Sequence, residues 1–101
     1  MFTATLKHED VRFLLSNRPE GMTAKHISKV ISVSPAKVRK IINELRAQGV
    51  PIVANTSGDG YWISTSKEMV QAQIDSMQRR IREMGFAMNG LRRTIREGVV
   101  R

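Results

Sequence analysis

The sequence predicts a mainly α fold with a small β-hairpin, an α+β class, on three observations. Apolar residues recur at helical spacing in four segments of the chain. Two short β-prone runs follow the third segment, separated by a stretch rich in turn-forming residues. The fourth segment is long and coiled-coil-like. A chain of 101 residues has room for one compact domain and one extra element, so we assign residues 1–65 to the domain and residues 66–101 to the added helix.

The first two helices are predicted from apolar spacing and from residues that begin or end a helix. The first covers residues 8–17, and it ends in residues 18–21, which contain a proline and a glycine. The second begins after Thr23, which can act as its N-cap, and ends near Ser32. Its predicted apolar stripe consists of Ala24, Ile27, Val30 and Ile31.

The third helix begins at Ser34-Pro35, because serine can accept free amide hydrogens and proline has no hydrogen bond to lose at the first helical position. Gly49 is the expected C-terminal stop. About four residues join the second and third helices, which is a tight turn. The predicted inward face of the third helix consists of Val38, Ile41, Ile42 and Leu45.

A β-hairpin is predicted after the third helix. Residues 50–54 and 61–64 are β-prone, and residues 55–60 between them are polar and glycine-rich. The order helix, helix, turn, helix, hairpin is the layout of a winged helix-turn-helix.

A long amphipathic helix is predicted from Ser66 to about Glu97. Its apolar residues are spaced alternately four and three apart, which gives the a and d positions of about three and a half heptads. We expect this stripe to pair with a second copy, and folding back over its own domain is the alternative. Gly85 and Gly90 leave a bend or a hairpin open. The stripe consists of Val70, Ile74, Met77, Ile81, Met84, Met88, Leu91 and Ile95.

The charge indicates a polyanionic partner, with nucleic acid first among the candidates. The formal net charge is +8 and the sequence pI is near 10.9. Residues 1–66 carry nine basic and five acidic side chains, and residues 67–101 carry eight and four. Between Thr23 and Gln48 the only acidic residue is Glu44, and the basic residues are Lys25, Lys29, Lys37, Arg39, Lys40 and Arg46.

The outer face of the third helix suits the major groove of duplex DNA, where the second helix of a helix-turn-helix docks. Ala36 allows close approach, Asn43 can pair with adenine, and Lys37 or Lys40 can reach guanine or phosphate. The alternative is that these charges form only a solvated face. The expected DNA-contacting residues are Lys25, Ser34, Ala36, Lys37, Arg39, Lys40, Asn43, Arg46, Asn55, Thr56 and Ser57.

Residues 9–64 resemble the winged helix-turn-helix of biotin-repressor-type regulators and of small phage or prophage regulators. The stretches that carry the resemblance are residues 23–28, 33–42, 45–52 and 60–63. It implies the fold, docking in a DNA groove and no enzymatic activity, because the ligase domain of biotin repressors is absent. In many members of this group the tip of the hairpin, called the wing, carries arginine or lysine. Here the hairpin tip is residues 55–60, and its only charged residue is Asp59. We therefore expect at most phosphate hydrogen bonds from the tip, and a protein contact by the hairpin stays open.

No cofactor or metal site is predicted. His8 and His26 are isolated, the chain has no cysteine, and no nucleophile or acid–base constellation is visible. Tyr61 or Trp62 could stack on single-stranded bases, but we expect one of these rings to pack in the core. With no secretion signal and no apolar run of membrane-spanning length, we expect a cytoplasmic protein without membrane contact.

The sequence thus predicts a sequence-specific regulator of transcription that binds duplex DNA as a homodimer, of the repressor-like type found in phages and prophages. Two alternatives stay open. One is an accessory protein of replication or DNA architecture that binds duplex DNA with low specificity. The other is a winged helix that binds a protein instead of DNA.

Overall fold

In the computed structural model, residues 6–55 and 60–100 are described, and the chain divides into two units, Met1–Val70 and Gln71–Arg101. The division falls inside the last helix, whereas the boundary expected from the sequence lies just before that helix. The described elements confirm a mainly α fold with a small sheet. In chain order they are α1 (Leu6–Ser16), β1 (Met22–Thr23), α2 (Ala24–Ile31), α3 (Pro35–Ala47), β2 (Ile52–Ala54), β3 (Gly60–Ile63) and α4 (Lys67–Arg96).

The core of the first unit is built from the inward faces of α1, α2 and α3 together with residues of the sheet. The predicted stripe of α2 is wrong at one position, because Val30 is 52% exposed and Ser28 is buried instead. At 100° per residue, Ser28 lies nearer the middle of the buried face than Val30 does. Its hydroxyl is satisfied inside the helix, where it donates to the carbonyl of Lys25 at 2.7 Å.

The helix-turn-helix is formed by α2, the three residues 32–34 and α3. Thr23 caps α2, since its Oγ1 accepts the His26 amide hydrogen at 3.1 Å. At the other end of α2, Ser32 adopts the left-handed conformation with φ 58°, which turns the chain toward α3. The Nζ of Lys7 donates to the last carbonyl of α2, that of Ile31.

The predicted stop of α3 is confirmed at Gly49, which has φ 94°. The Gly49 amide donates to the carbonyl of Arg46 at 2.9 Å, and the Val50 amide donates to the carbonyl of Leu45 at 3.1 Å. This pair of hydrogen bonds is the Schellman motif, and it satisfies carbonyls that the helix end would leave without partners.

The described strands form one antiparallel sheet with the order β1-β3-β2. The hairpin of β2 and β3 was predicted, and Ile52 is opposite Ile63 in it. β1 was not predicted, and it places Met22 opposite Tyr61 on the other side of β3. Gly21, with φ 84°, precedes β1, and a Cβ there would stand 2.5 Å from the carbonyl oxygen of Tyr61. Only a glycine therefore allows the chain to pass this close to β3.

The long helix α4 runs from Lys67 to Arg96 without interruption at Gly85 or Gly90, so the hairpin alternative for this segment is wrong. Ser66 stands before its first turn and accepts the Met69 amide hydrogen at 3.3 Å. No residue of α4, all of which is described, is buried. Of the helices in residues 6–55 and 60–100, none combines the length and the apolar character that crossing a membrane requires.

Candidate nucleic-acid interface

The helix α3 presents one buried face and one exposed polar face. The predicted inward residues Val38, Ile41, Ile42 and Leu45 are all buried, which confirms the orientation of the helix. The opposite face is solvent-exposed, and it consists of Ala36, Lys37, Arg39, Lys40, Asn43 and Ala47. Small, cationic and amide side chains are therefore available together on one helical surface, as reading of base edges requires.

The N-terminus of α3 is arranged so that it can bind an anion such as a DNA phosphate. The Oγ of Ser34 accepts the Lys37 amide hydrogen at 3.1 Å, and the Ser34 carbonyl accepts that of Val38 at 3.0 Å. Pro35 has no amide hydrogen to satisfy. Within the described residues this leaves the amide of Ala36 without an intrachain acceptor, next to the Ser34 hydroxyl hydrogen.

Glu44, the one acidic residue of α2 and α3, contacts a buried side chain of α1. The Oε1 of Glu44 lies 3.2 Å from Nε2 of His8, and the Glu44 side chain is 25% exposed. His8 is buried on α1. Sequence reasoning missed this pair because it treated His8 as an isolated residue. Since the carboxylate is held against α1, the exposed lysines and arginine of α2 and α3 dominate the electrostatic field over the exposed face of α3.

Arg46 makes contacts within the chain, although it was expected to contact DNA. Its Nε donates to the carbonyl of Ile52 at 2.8 Å, which connects α3 to β2. Its guanidinium lies 5.9 Å from the centroid of the Tyr61 ring, within the range of a cation–π interaction. Arg46 is half-buried, so a large part of this side chain is committed to holding the sheet against α3.

Asn43 is oriented by Arg46 and remains exposed. The Oδ1 of Asn43 accepts a hydrogen bond from Nη1 of Arg46 at 3.2 Å. A carbonyl oxygen has two lone pairs, and the amide nitrogen keeps both of its hydrogens, so donor and acceptor capacity remain for an adenine edge. Arg46 thus holds in place a side chain that the sequence predicts to contact a base.

The hairpin tip is only partly described. Asn55 is exposed, its amide donates to the carbonyl of Gly60 at 3.0 Å, and its Oδ1 accepts the Gly60 amide hydrogen at 3.5 Å. Thr56 and Ser57, which were expected to contact phosphates, lie outside the described residues. At the base of the hairpin Tyr61 is buried in the core, as expected for one of the two rings, and Trp62 is half-buried.

The remaining expected positions are exposed. Lys25, an expected DNA contact, is exposed on α2, and so is His26. Within residues 6–55 and 60–100, no three histidine, aspartate or glutamate side chains form a group that could hold a metal ion.

The apolar stripe of α4 is exposed along most of its length. Ile81, Met84, Leu91 and Ile95 are each between 65% and 70% exposed, and Ile74 and Met88 are also exposed. Val70 and Met77 are half-exposed. Such a row of large apolar side chains, repeated at heptad spacing, is typical of a helix that pairs with another helix.

Comparison with protein families matches residues 7–61 to the family described as the HTH domain. No curated protein matches the chain. Among solved structures, MepR, a transcription regulator of the Staphylococcus aureus multidrug efflux pump MepA, is similar with a TM-score of 0.45 and 14% identity, covering 93% of this chain and 78% of that chain. A mutant of S. aureus MepR bound to an oligodeoxyribonucleotide has a TM-score of 0.45 and 13% identity, with the same coverage.

Proposed function

The chain belongs to the HTH domain family, and from this membership we propose that it regulates transcription by binding a specific sequence of duplex DNA as a homodimer. In this proposal α3 enters the major groove and α4 joins the two copies. The protein acts as a repressor of phage or prophage type, in the cytoplasm, without enzymatic activity and without a cofactor. Repression follows from occupation of a promoter.

The observation that carries the proposal is the exposed face of α3, set on a helix whose other face is fully buried. In the groove, Ala36 lets the helix approach the bases, and Asn43 reads an adenine edge. Lys37 and Lys40 reach guanine or phosphate oxygens. Lys25, Arg39 and the N-terminus of α3 fix the register on the backbone through phosphate contacts.

The homodimer is supported by the exposed apolar stripe of α4. Soluble monomers rarely expose a contiguous apolar surface of this kind, and the alternate spacing of four and three fits a second helix with the same pattern. Two copies related by a twofold axis bind two half-sites, and the half-site spacing expected for such dimers is about one turn of DNA, or a multiple of it.

The proposal is tested with the double variant Lys40→Ala and Asn43→Ala. First, duplexes that the unchanged protein binds are selected from a random pool at near-physiological salt. Loss of one bidentate base contact and one cationic contact should weaken binding to the selected sequence by roughly 10- to 100-fold or more. Lys67→Ala removes one exposed cation outside α3 and serves as the matched control. If the double variant binds the selected sequence as the control does, the proposed reading surface is wrong.

A second candidate is low-specificity binding by an architectural or replication accessory protein. It is favoured by the exposed arginines of α4, because their positive charge attracts DNA phosphates whatever the base sequence. They are Arg79, Arg80, Arg82, Arg92, Arg93 and Arg96. Both candidates predict that log affinity falls with log salt, by roughly 0.9 per phosphate neutralised. Only a specific regulator should withstand an excess of random DNA. Absence of binding to any duplex at low salt would favour a winged helix that binds protein.

A further inference from the structure

We propose that two copies of α4 pair antiparallel, with each a residue of one copy packed against a d residue of the other. The inference rests on the homodimer proposed above and adds its orientation and register. In chain order the stripe starts at a d position, Val70, and ends at an a position, Ile95. When one copy is reversed, every apolar residue therefore has a partner. Four kinds of layer result, each of which occurs twice because the two copies are equivalent. They place Val70 opposite Ile95, Ile74 opposite Leu91, Met77 opposite Met88, and Ile81 opposite Met84.

Apolar packing alone does not choose the orientation, because a parallel pair would also match every residue of the stripe. Isoleucine at Ile74, Ile81 and Ile95, all a positions, is compatible with a parallel dimer. The choice therefore depends on charge and on the distance between the two DNA-binding units.

The two ends of α4 carry opposite net charge. The N-terminal part has Glu68 and Asp75 against Lys67, and the C-terminal part has three arginines, Arg92, Arg93 and Arg96. A parallel pair would put the arginine-rich ends side by side. An antiparallel pair puts each arginine-rich end next to the partner's acidic end. It also makes the two helix dipoles antiparallel, so that the positive end of each lies beside the negative end of the other.

The distance between the copies also favours the antiparallel pair. Each first unit carries a net charge of +4 in residues 1–66 and is continuous with α4 at Val70. A parallel pair would bring the two Val70 positions within about 10 Å of each other. In the antiparallel register they are separated by the rise from Val70 to Ile95, about 38 Å at 1.5 Å per residue. That separation is several times the screening length of about 8 Å at physiological ionic strength, so the attachment points of the two positively charged first units are not held side by side.

Disulfide trapping tests the orientation directly, because the chain contains no cysteine of its own. Two single variants of the full chain are made, Ile74→Cys and Leu91→Cys, both at exposed positions of α4. Each variant is oxidised alone, and the two are also mixed, allowed to exchange subunits and oxidised together. Arg79→Cys, on the outer face of the helix, is the control for disulfides that form by random collision. Light scattering on the reduced proteins reports the oligomeric state, and circular dichroism reports the helix content.

The antiparallel register predicts a disulfide between the two variants in the mixture and little in either variant alone. Residues 74 and 91 of opposite copies are then close enough for the Cα separation of about 4.4 to 6.8 Å that a disulfide needs, whereas like residues are more than 20 Å apart. Efficient self-linking of Ile74→Cys would mean a parallel pair, which overturns this inference and leaves the proposed DNA-binding dimer intact. If the protein is a dimer but forms no disulfide in any sample, residues 74 and 91 of the two copies are not opposite each other, and the proposed register is wrong. A monomer in light scattering overturns the dimer itself, and with it this inference, while DNA binding by α3 is judged by its own variants.

Discussion

The imidazole Nε2 of His8 lies 3.2 Å from Oε1 of Glu44, and the contact joins α1 to the helix that we propose reads DNA. His8 is buried beside Val11 and Leu15 on the inward side of α1. The pair therefore connects the domain core with α3 and holds the carboxylate toward α1.

We expect Glu44→Ala to lower the free energy of unfolding by about 1 to 2 kcal/mol, because a buried imidazole nitrogen then loses a hydrogen-bonding partner. Glu44→Gln keeps an acceptor at the same place and should cost less. Urea unfolding followed by circular dichroism measures both, and Glu20→Ala, at an exposed position, is the control. Equal stability of Glu44→Ala and the control would mean that the contact contributes nothing to the fold.

The left-handed conformation of Ser32 leads to a second prediction, about the stability of the turn between α2 and α3. Ser32→Gly should raise the free energy of unfolding by about 1 kcal/mol, because a residue with a Cβ is strained at φ 58° and glycine is not. Ser32→Val should lower it, since a β-branched side chain suits this conformation least. The two variants are compared by thermal and urea unfolding. A less stable Ser32→Gly would show that the serine side chain stabilises the turn by more than its backbone strain costs.

Two glycines that differ in backbone conformation and in surroundings lead to a third prediction. Gly21→Ala should destabilise the first unit by more than about 1 kcal/mol, because the new Cβ would collide with the Tyr61 carbonyl and φ is 84° there. Gly85→Ala meets nothing within 4 Å and lies inside α4, so it should instead stabilise the helix by about 1 kcal/mol. Unfolding curves of both variants under the same conditions check the opposite signs. Destabilisation by Gly85→Ala would indicate that another chain approaches α4 closely at that position.

Substitutions of Arg46 and Arg39 should have different effects, the first mainly on the stability of the fold and the second mainly on DNA binding. Arg46→Ala removes the hydrogen bond to the Ile52 carbonyl and the contact with the Tyr61 ring, so we expect a loss of about 1.5 to 3 kcal/mol in the free energy of unfolding. Arg39→Ala, at an exposed position, should change stability by less than about 0.5 kcal/mol. It should lower the salt dependence of DNA affinity by roughly the equivalent of one phosphate contact. If Arg46→Ala is as stable as the unchanged protein, the contacts of Arg46 with Ile52 and Tyr61 do not stabilise the fold, and only its expected role as a DNA contact remains.

The sequence was sufficient to predict the features that depend on neighbouring residues. The spacing of Val38, Ile41, Ile42 and Leu45 determines which face of α3 is buried, and therefore which face is exposed. The caps at Thr23 and Ser34 and the stop at Gly49 are likewise properties of a few consecutive residues. For this reason the sequence alone predicts the position of α3 and which of its faces is exposed.

Contacts between distant segments were not predictable in the same way. In the sequence, Arg46 looks like any other cation of a basic helix. Its partners in β2 and at Tyr61 become its neighbours only when the chain folds. β1 has only two residues, too few for any periodicity, and its pairing partner is far along the chain. His8 did carry a usable signal, because it lies three residues before Val11 and seven before Leu15, the spacing of one buried helical face.

The pairing of Met22 with Tyr61 has a consequence for the time course of folding. It closes a loop that contains all of α2, α3 and β2, whereas the hydrogen bonds inside each helix join residues that are close in sequence. Chain entropy opposes such long closures until the intervening segments have become compact. The helices and the β2–β3 hairpin should therefore acquire protected amides early in refolding, and the amides that join β1 to β3 should become protected last, so that the sheet is completed after α3 has formed.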